Sequence, residues 1–359
     1  NRLNGPVEGI LHYSYGGYKI VNLHPLPEVD GDQLPRERTR LTGDRSHLTV
    51  ASFNLENLSA KSEERKFDDL AAIVVSNLGA PDIVGVQEVQ DDSGPEDDGT
   101  VSAANTLGRL VDAIESAGGP RYETRSIDPE NNADGGQPGA NIRNAYLFNP
   151  SRVEFVDRTT CGEDSKTRVD EGPSLTCSPG LLGTDDQAFL PRGEGRSGSR
   201  KPLVGEFRFA GETVFLVNLH LSSKGGDDPV FGRRQPRVES SSPRRAEQAK
   251  VVAHFVGEIT KGDDPARVVV LGDLNDFENS DALGALETVG LEDLVKRLPL
   301  ESRYSYVYLG NSQVLDHILA SEFLANDAEI EMVHVNAEFP AADRASDHDP
   351  VIVRVAFDQ

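Results

Sequence analysis

The chain has 359 residues, 37% of them apolar, and carries 60 Asp and Glu against 36 Lys and Arg, a formal charge of −24. That length supports a large core in one or two domains, and no run of 18 apolar residues exists to cross a membrane. Such a charge excludes a generally basic nucleic-acid-binding surface and suits a solvated, exported protein.

The chain starts at Asn1 and reads as a mature or trimmed piece of something longer. Residues 9–15 and 18–23 are apolar runs around Gly16-Gly17, a hairpin signal. From there to Ser46 the sequence is rich in Pro, Arg and Asp and reads as a linker. Residues 1–46 are therefore expected to be an N-terminal extension, either the end of a preceding β-domain plus linker or an arm packed on the main domain, which occupies 47–359.

The main domain opens on a strand over 47–54 that ends in Asn54-Leu55-Glu56-Asn57. Phe67, Leu70, Ala71, Val74 and Leu78 then recur at helical spacing. A buried strand over 82–88 ends in Gln87-Glu88, and the acidic loop 91–99 reads either as a solvated loop or as a structural Ca²⁺ site. A helix over 106–117 is stopped by Gly118-Gly119-Pro120. The glycine-rich segment 135–143 enters a strand over 144–148. The irregular stretch 157–200 contains the only two cysteines, Cys161 and Cys177. A disulfide between them is expected, with two unpaired thiols as the alternative; the disulfide implies an oxidising compartment.

Strands over 202–209 and 213–219 follow, the second leading into His220. A helix over 243–259 precedes the all-apolar strand 268–271, which ends in Gly272-Asp273-Leu274-Asn275. The strand 314–319 carries Asp316 in its centre, and 333–336 and 351–357 close the domain. Helices fall between pairs of strands, so mixed sheets covered by helices are expected.

Polar tips recur at strand ends: Asn54, Glu88, His220, Asp273 with Asn275, Asp316, and Asp347-His348. Together they describe a site at one rim of a scaffold. Asn54, Glu88, Asp273, Asn275 and Asp347 offer hard oxygen donors, which suit Mg²⁺ or Mn²⁺. No HExxH or Cys/His spacing favours zinc. Neither a Gly-x-Ser-x-Gly elbow nor a phosphate-binding Walker loop occurs. Hard cation plus histidines points to phosphate-ester hydrolysis. Taken singly, each element has a plainer reading: Asn54 as a turn cap, Glu88 as a solvated acid, 272–276 as an Asx turn, His220 as a core histidine. Asp316 is harder to dismiss, because a buried carboxylate needs a partner, and His348 is the candidate. The window 190–250 carries twelve Lys/Arg against seven Asp/Glu. Arg143, Arg196, Arg200, Lys201, Lys224 and the cluster Arg233-Arg234-Arg237 are therefore expected to form a substrate-binding rim around the metal.

The ordered set Phe53-Asn54, Gln87-Glu88, Asn218-Leu219-His220, Gly272-Asp273-Leu274-Asn275, Leu315-Asp316-His317 and Ser346-Asp347-His348 resembles the endonuclease/exonuclease/phosphatase superfamily. The segments 135–143, 199–203, 223–227 and 312–317 are similar to its bacterial extracellular nuclease branch. The resemblance covers about 47–357, and 13–18 is similar to the end of a small β-barrel preceding the catalytic domain there. It implies a four-layer α/β sandwich, two mixed sheets face to face with helices outside. It also implies Asn54 and Glu88 as metal ligands and Asp347 beside the metal or the water. Asp273 would orient the attacking water, Asn275 bind the scissile phosphate, Asp316 position His348, and His220 protonate the leaving oxygen. The expected activity is a secreted, monomeric nuclease cutting DNA, and RNA too, with little sequence preference. The alternative is a phosphomonoesterase or phosphodiesterase for small or lipid phosphates.

Overall fold

The structure is a computed structural model that describes residues 2–30, 34–159, 161, 166–170, 174–192, 197–262 and 265–357. Arg196, expected in the basic rim, lies outside the described residues.

Four short strands come first: β1 (Arg2–Leu3), β2 (Gly9–Ser14), β3 (Gly17–Asn22) and β4 (Val29–Asp30). β2 and β3 form the expected hairpin. Its turn residues Tyr15 and Gly16 both have left-handed φ, 51° and 80°, the conformation whose twist matches the flanking strands. The following segment differs from its reading as a linker. The Arg36 Nε donates to the Val335 carbonyl at 2.9 Å, the Thr39 amide donates to Asn77 at 2.8 Å, and Leu41 is buried. Leu41 joins the apolar cluster on the helix side of a sheet, so this stretch is an arm of the main domain.

The remaining strands are β5 (His47–Leu58), β6 (Ile83–Val89), β7 (Glu123–Ser126), β8 (Arg143–Phe148), β9 (Glu154–Phe155), β10 (Gly180–Leu181), β11 (Leu203–Phe209), β12 (Glu212–His220), β13 (Val268–Asp273), β14 (Leu291–Asp293), β15 (Tyr306–Tyr308), β16 (Asn311–Gln313), β17 (Asp316–Ser321), β18 (Glu329–Met332) and β19 (Val351–Ala356). The helices are α1 (Glu64–Ala72), α2 (Ala104–Ser116), α3 (Ser242–Gly262), α4 (Asp281–Glu287) and α5 (Glu322–Ala325). One sheet runs β18-β19-β5-β6-β8-β7. The other runs β10-β11-β12-β13-β17-β14, with β9 paired to β11. Both are mixed: β5 with β6 and β12 with β13 are parallel, and their other pairings antiparallel.

Three apolar layers hold these together. Leu48, Val50 and Phe148 of the first sheet meet Phe207, Leu216 and Leu271 of the second. The outer face of the first sheet packs Phe53 and Val84 against Phe67 and Leu70 of α1 and Leu107 and Ile114 of α2. The outer face of the second packs Val217 and Val270 against Val252 and Val256 of α3 and Leu283 of α4. Each such fully buried side chain contributes about 1.5–3 kcal/mol. This is the four-layer α/β sandwich expected, helices on the outside.

Cys161 and Cys177 are joined, with Cα atoms 5.6 Å apart and a sequence separation of 16. A loop of that size is worth about 3 kcal/mol in the chain-entropy account. The double variant Cys161→Ser/Cys177→Ser is expected to unfold several degrees lower, with turnover unchanged below its melting range. Coincident thermal melts of variant and oxidised wild type would refute a stabilising role.

Candidate functional site

The two parallel pairs bring the C-terminal ends of β5, β6, β12 and β13 to one edge of the sandwich. β17 and β19 run antiparallel to their neighbours, Asp316 opposite Asp273 and Val351 opposite Ser52, so both begin at that edge. The topology thus gathers Asn54, Glu88, His220, Asp273, Asp316 and His348 from separate parts of the chain. Between the sheets this end is polar: the Gln87 Nε2 donates to Asn218 Oδ1 at 2.7 Å, and Asn218 Nδ2 donates across to the Ala145 carbonyl at 3.0 Å.

Local backbone geometry aims the side chains. The pairing register slips between Val86 and Val89, and Glu88 in that bulge has φ +58°. A left-handed non-glycine residue costs of order 1 kcal/mol or more and marks positions the surroundings over-determine. The Asn57 amide then donates to Glu88 Oε2 at 3.0 Å. Gly272 has φ +140°, and a Cβ there would sit 2.0 Å from the Leu219 carbonyl oxygen. Only glycine lets β13 approach β12 this closely just before Asp273.

Asp273 is the hub. Its Oδ1 accepts from the Asn275 amide at 2.9 Å, and its Oδ2 accepts from Asn275 Nδ2 at 3.1 Å and Asn54 Nδ2 at 3.2 Å. His220 Nε2 lies 3.6 Å and His348 Nε2 3.9 Å from the same Oδ2. His220 Nε2 is also 3.7 Å from Glu88 Oε1. On the far side of its ring, His348 Nδ1 meets Asp316 Oδ2 at 2.6 Å, the pairing expected. The Ser346 hydroxyl donates to the Asn54 carbonyl at 2.7 Å and fixes the loop that delivers His348.

Burial pushes the Asp273 carboxyl up to about 7; His348 pulls it down, while Asp316 and Glu88 push it further up. For His348 burial opposes the charged form, but Asp316, Asp273 and Asp347 outweigh it and hold the imidazolium well above the usual range. For His220, burial acts together with Arg200 and His348 to drive the imidazole well below its usual range. The charged histidine of this arrangement is therefore His348. His220 Nδ1 is buried without a hydrogen-bond partner among the described residues.

The donor set fits a hard divalent cation. Glu88, His220 and Asp273 offer ligand atoms within 4.8 Å of one another. Asp347 lines the same cleft, about 410 Å³, together with Lys224, Tyr306 and Tyr308. Asn54 is held within the site: its oxygen accepts from the Glu56 amide at 3.0 Å and its nitrogen donates to Asp273 at 3.2 Å, so it orients Asp273.

The basic rim is the larger departure. Lys224 and Arg237 do line the cleft; the Lys224 Nζ lies 3.2 Å from Asp276 and 4.3 Å from the centre of the Phe277 ring. Arg143 is buried, paired with Asp128, and donates to the Asn141 carbonyl at 2.9 Å. It braces the glycine-rich loop. Arg200 is buried, donates to the Leu221 carbonyl at 2.8 Å, and burial works against its charge while Glu88 and Asp273 favour it. Lys201 is buried against Asp134. Arg233 is exposed, and Arg234 lies 3.7 Å from Asp228. Arg143 and Lys201 thus neutralise acids of the scaffold, and of the expected rim Lys224 and Arg237 are the described residues that line the cleft.

Sequence reasoning missed the β15–β16 hairpin and its Tyr306, whose ring centre is 4.8 Å from that of His348. The period-2 alternation Tyr304-Ser305-Tyr306-Val307-Tyr308 was the signal available.

No curated protein matches the sequence. Among solved structures, an endonuclease/exonuclease/phosphatase family protein from Bacteroides thetaiotaomicron has TM-score 0.54 at 19% identity, covering 87% of this chain and 96% of that one. The D. rerio TDP2 complexed with single-strand DNA product has TM-score 0.53 at 16% identity, covering 87% and 100%. The human Nocturnin catalytic domain with bound sulfate has TM-score 0.51 at 17% identity, covering 87% and 94%. Identities this low establish the shared fold. The sequence of residues 51–348 matches the Endonuclease/Exonuclease/phosphatase family, and the chain belongs to that family.

Proposed function

We propose that this protein is an exported, Mg²⁺- or Mn²⁺-dependent phosphodiesterase that hydrolyses nucleic acid, DNA foremost and RNA as well, with little sequence preference. The observation that carries the reading is the convergence on Asp273. One carboxylate takes three amide hydrogen bonds and faces two histidines across an open cleft. The site is completed within one chain, which supports a monomer. The disulfide supports an oxidising compartment, and no described helix is long and apolar enough to cross a membrane. One of the structural neighbours holds single-strand DNA product, in line with a nucleic-acid substrate.

Glu88 and Asp347 would hold the cation, which supplies charge neutralisation at the phosphoryl oxygens. Asp273, fixed by Asn54 and Asn275, orients the attacking water and accepts its proton. Asn275 donates through Nδ2 toward a phosphate oxygen when substrate enters. His348, kept charged by Asp316, stabilises the negative charge that develops on the phosphoryl group and gives its Nε2 proton to the leaving oxygen. His220, neutral and buried, walls the site beside Glu88.

Plasmid DNA, RNA, nitrophenyl phosphate and bis-nitrophenyl phosphate, assayed side by side with and without EDTA, test this. The nucleic acids and the diester are expected to be cleaved and the monoester left intact. All cleavage should vanish with EDTA and return with Mg²⁺ or Mn²⁺. Full activity after rigorous chelation, or activity on the monoester alone, would sink the proposal.

A further inference from the structure

Tyr306 and Tyr308 stand on one face of β15, and both line the cleft. Their rings are nearly parallel, 14° between planes, with centres 6.5 Å apart. The gap between the ring planes is at most that centre-to-centre distance, against about twice the roughly 3.4 Å rise of stacked bases, so one planar ring enters between them when the exposed Tyr308 ring swings outward. Tyr306 is fixed by a backbone bridge to His348 and by contact between the two rings. Tyr308 is 53% exposed, although a tyrosine this open contributes little to a core. The pair is anchored at the catalytic end and open at the other.

From this geometry we infer that Tyr306 and Tyr308 form a slot for one unpaired nucleobase beside the scissile phosphate, so that single-stranded nucleic acid is the preferred substrate form. This rests on the nuclease reading and deepens it. A base in a duplex has both faces covered by its neighbours and cannot enter; an unpaired base can, whatever its identity, because every base has a π-face. The slot also answers how a chain of charge −24 holds a polyanion. Of the expected rim, Arg143 and Lys201 are buried in scaffold ion pairs and Arg200 is buried against a backbone carbonyl, so fewer cations than expected face the cleft, whereas stacking does not depend on them. Binding through bases leaves few phosphate contacts and a shallow salt dependence.

The test uses Tyr308→Ala and Tyr308→Phe in the full chain with Mg²⁺. Binding of a fluorescein-labelled, cleavage-resistant phosphorothioate oligonucleotide is read by anisotropy, single-stranded and as its duplex, and cleavage of the ordinary oligonucleotides is followed in parallel. Wild type should bind the single strand more tightly than the duplex. Tyr308→Ala should weaken single-strand binding roughly five- to hundred-fold, the range for losing one base–aromatic stack, and duplex binding less than two-fold; Tyr308→Phe should bind like wild type. Unchanged single-strand binding in Tyr308→Ala, equal losses on both forms, or no preference in wild type overturns the slot. If those same variants still cleave DNA, the nuclease reading stands without it. Selective loss of single-strand binding in a protein that cleaves no nucleic acid keeps the slot and removes that reading.

Discussion

His348→Ala is expected to lower turnover on DNA by about 10²–10⁴-fold, the range for removing a positioned acid–base group, while the fold stays intact. The magnitude follows from what holds the ring. Asp316 is fully buried, and its Oδ2 is 2.6 Å from His348 Nδ1. That contact fixes the ring orientation and aims Nε2 at Asp273, 3.9 Å away. Asp316→Asn keeps the shape but withdraws the charge that keeps the imidazole protonated. It should therefore lose activity more steeply as pH rises, because the His348 pKa falls back toward its ordinary value. The sign is fixed: the variant's deficit is small at low pH and grows above neutrality. A deficit in Asp316→Asn that is constant across pH would mean the carboxylate only positions the ring. Wild-type turnover in His348→Ala would remove it from the chemistry.

What the sequence made legible is the set of strand tips. Asn54, Glu88, His220, Asp273 and Asp316 each end or begin an apolar run, and apolar runs ending in polar residues identify strands and their ends without tertiary information. The pairing of Asp316 with His348 was readable for a further reason: a carboxylate inside an apolar run requires a partner. The direction in which a long side chain turns was not readable. Arg143 and Arg200 sit in glycine- and serine-rich stretches, a context that suggests exposed loops. Both turn inward, because the polar layer between the sheets offers them carbonyl oxygens at Asn141 and Leu221. Nor could the sequence tell which end of the Asn54 amide faces the site, since the Glu56 amide claims its oxygen from two residues away. The β15–β16 hairpin carried only the short alternation over 304–308, since its strands have three residues each. The sequence left the packing of 34–46 open between a linker and an arm, because a single buried Leu41 among prolines and arginines carries no periodicity.

Asp273→Asn is expected to abolish turnover and, in the metal-free protein, to flatten the dependence of stability on pH. The folded state holds the Asp273 proton up to about 7, chiefly through burial and with Asp316 and Glu88 adding to it, against an ordinary value of 3.8. A carboxyl whose folded pKa is raised contributes its full stability below the unfolded value. It loses that contribution as pH rises through the folded one, because the native state must then carry a buried charge beside two others. Between pH 4 and pH 8 wild type should therefore lose on the order of a few kcal/mol from this group alone, seen as a falling melting temperature. His348 works in the same direction, since its raised pKa also makes protonation part of the fold's stability. An asparagine at 273 cannot titrate. It costs something at every pH, because the donors of Asn54 and Asn275 meet an amide where they met a carboxylate. That cost is constant, so the diagnostic is the slope: variant minus wild type should move in the variant's favour as pH rises. Mg²⁺ should raise the wild-type melting temperature at pH 8, by binding the folded state. Parallel pH–stability curves for the two proteins would show that Asp273 is ionised and satisfied without a cation, and would displace it from the centre of the site.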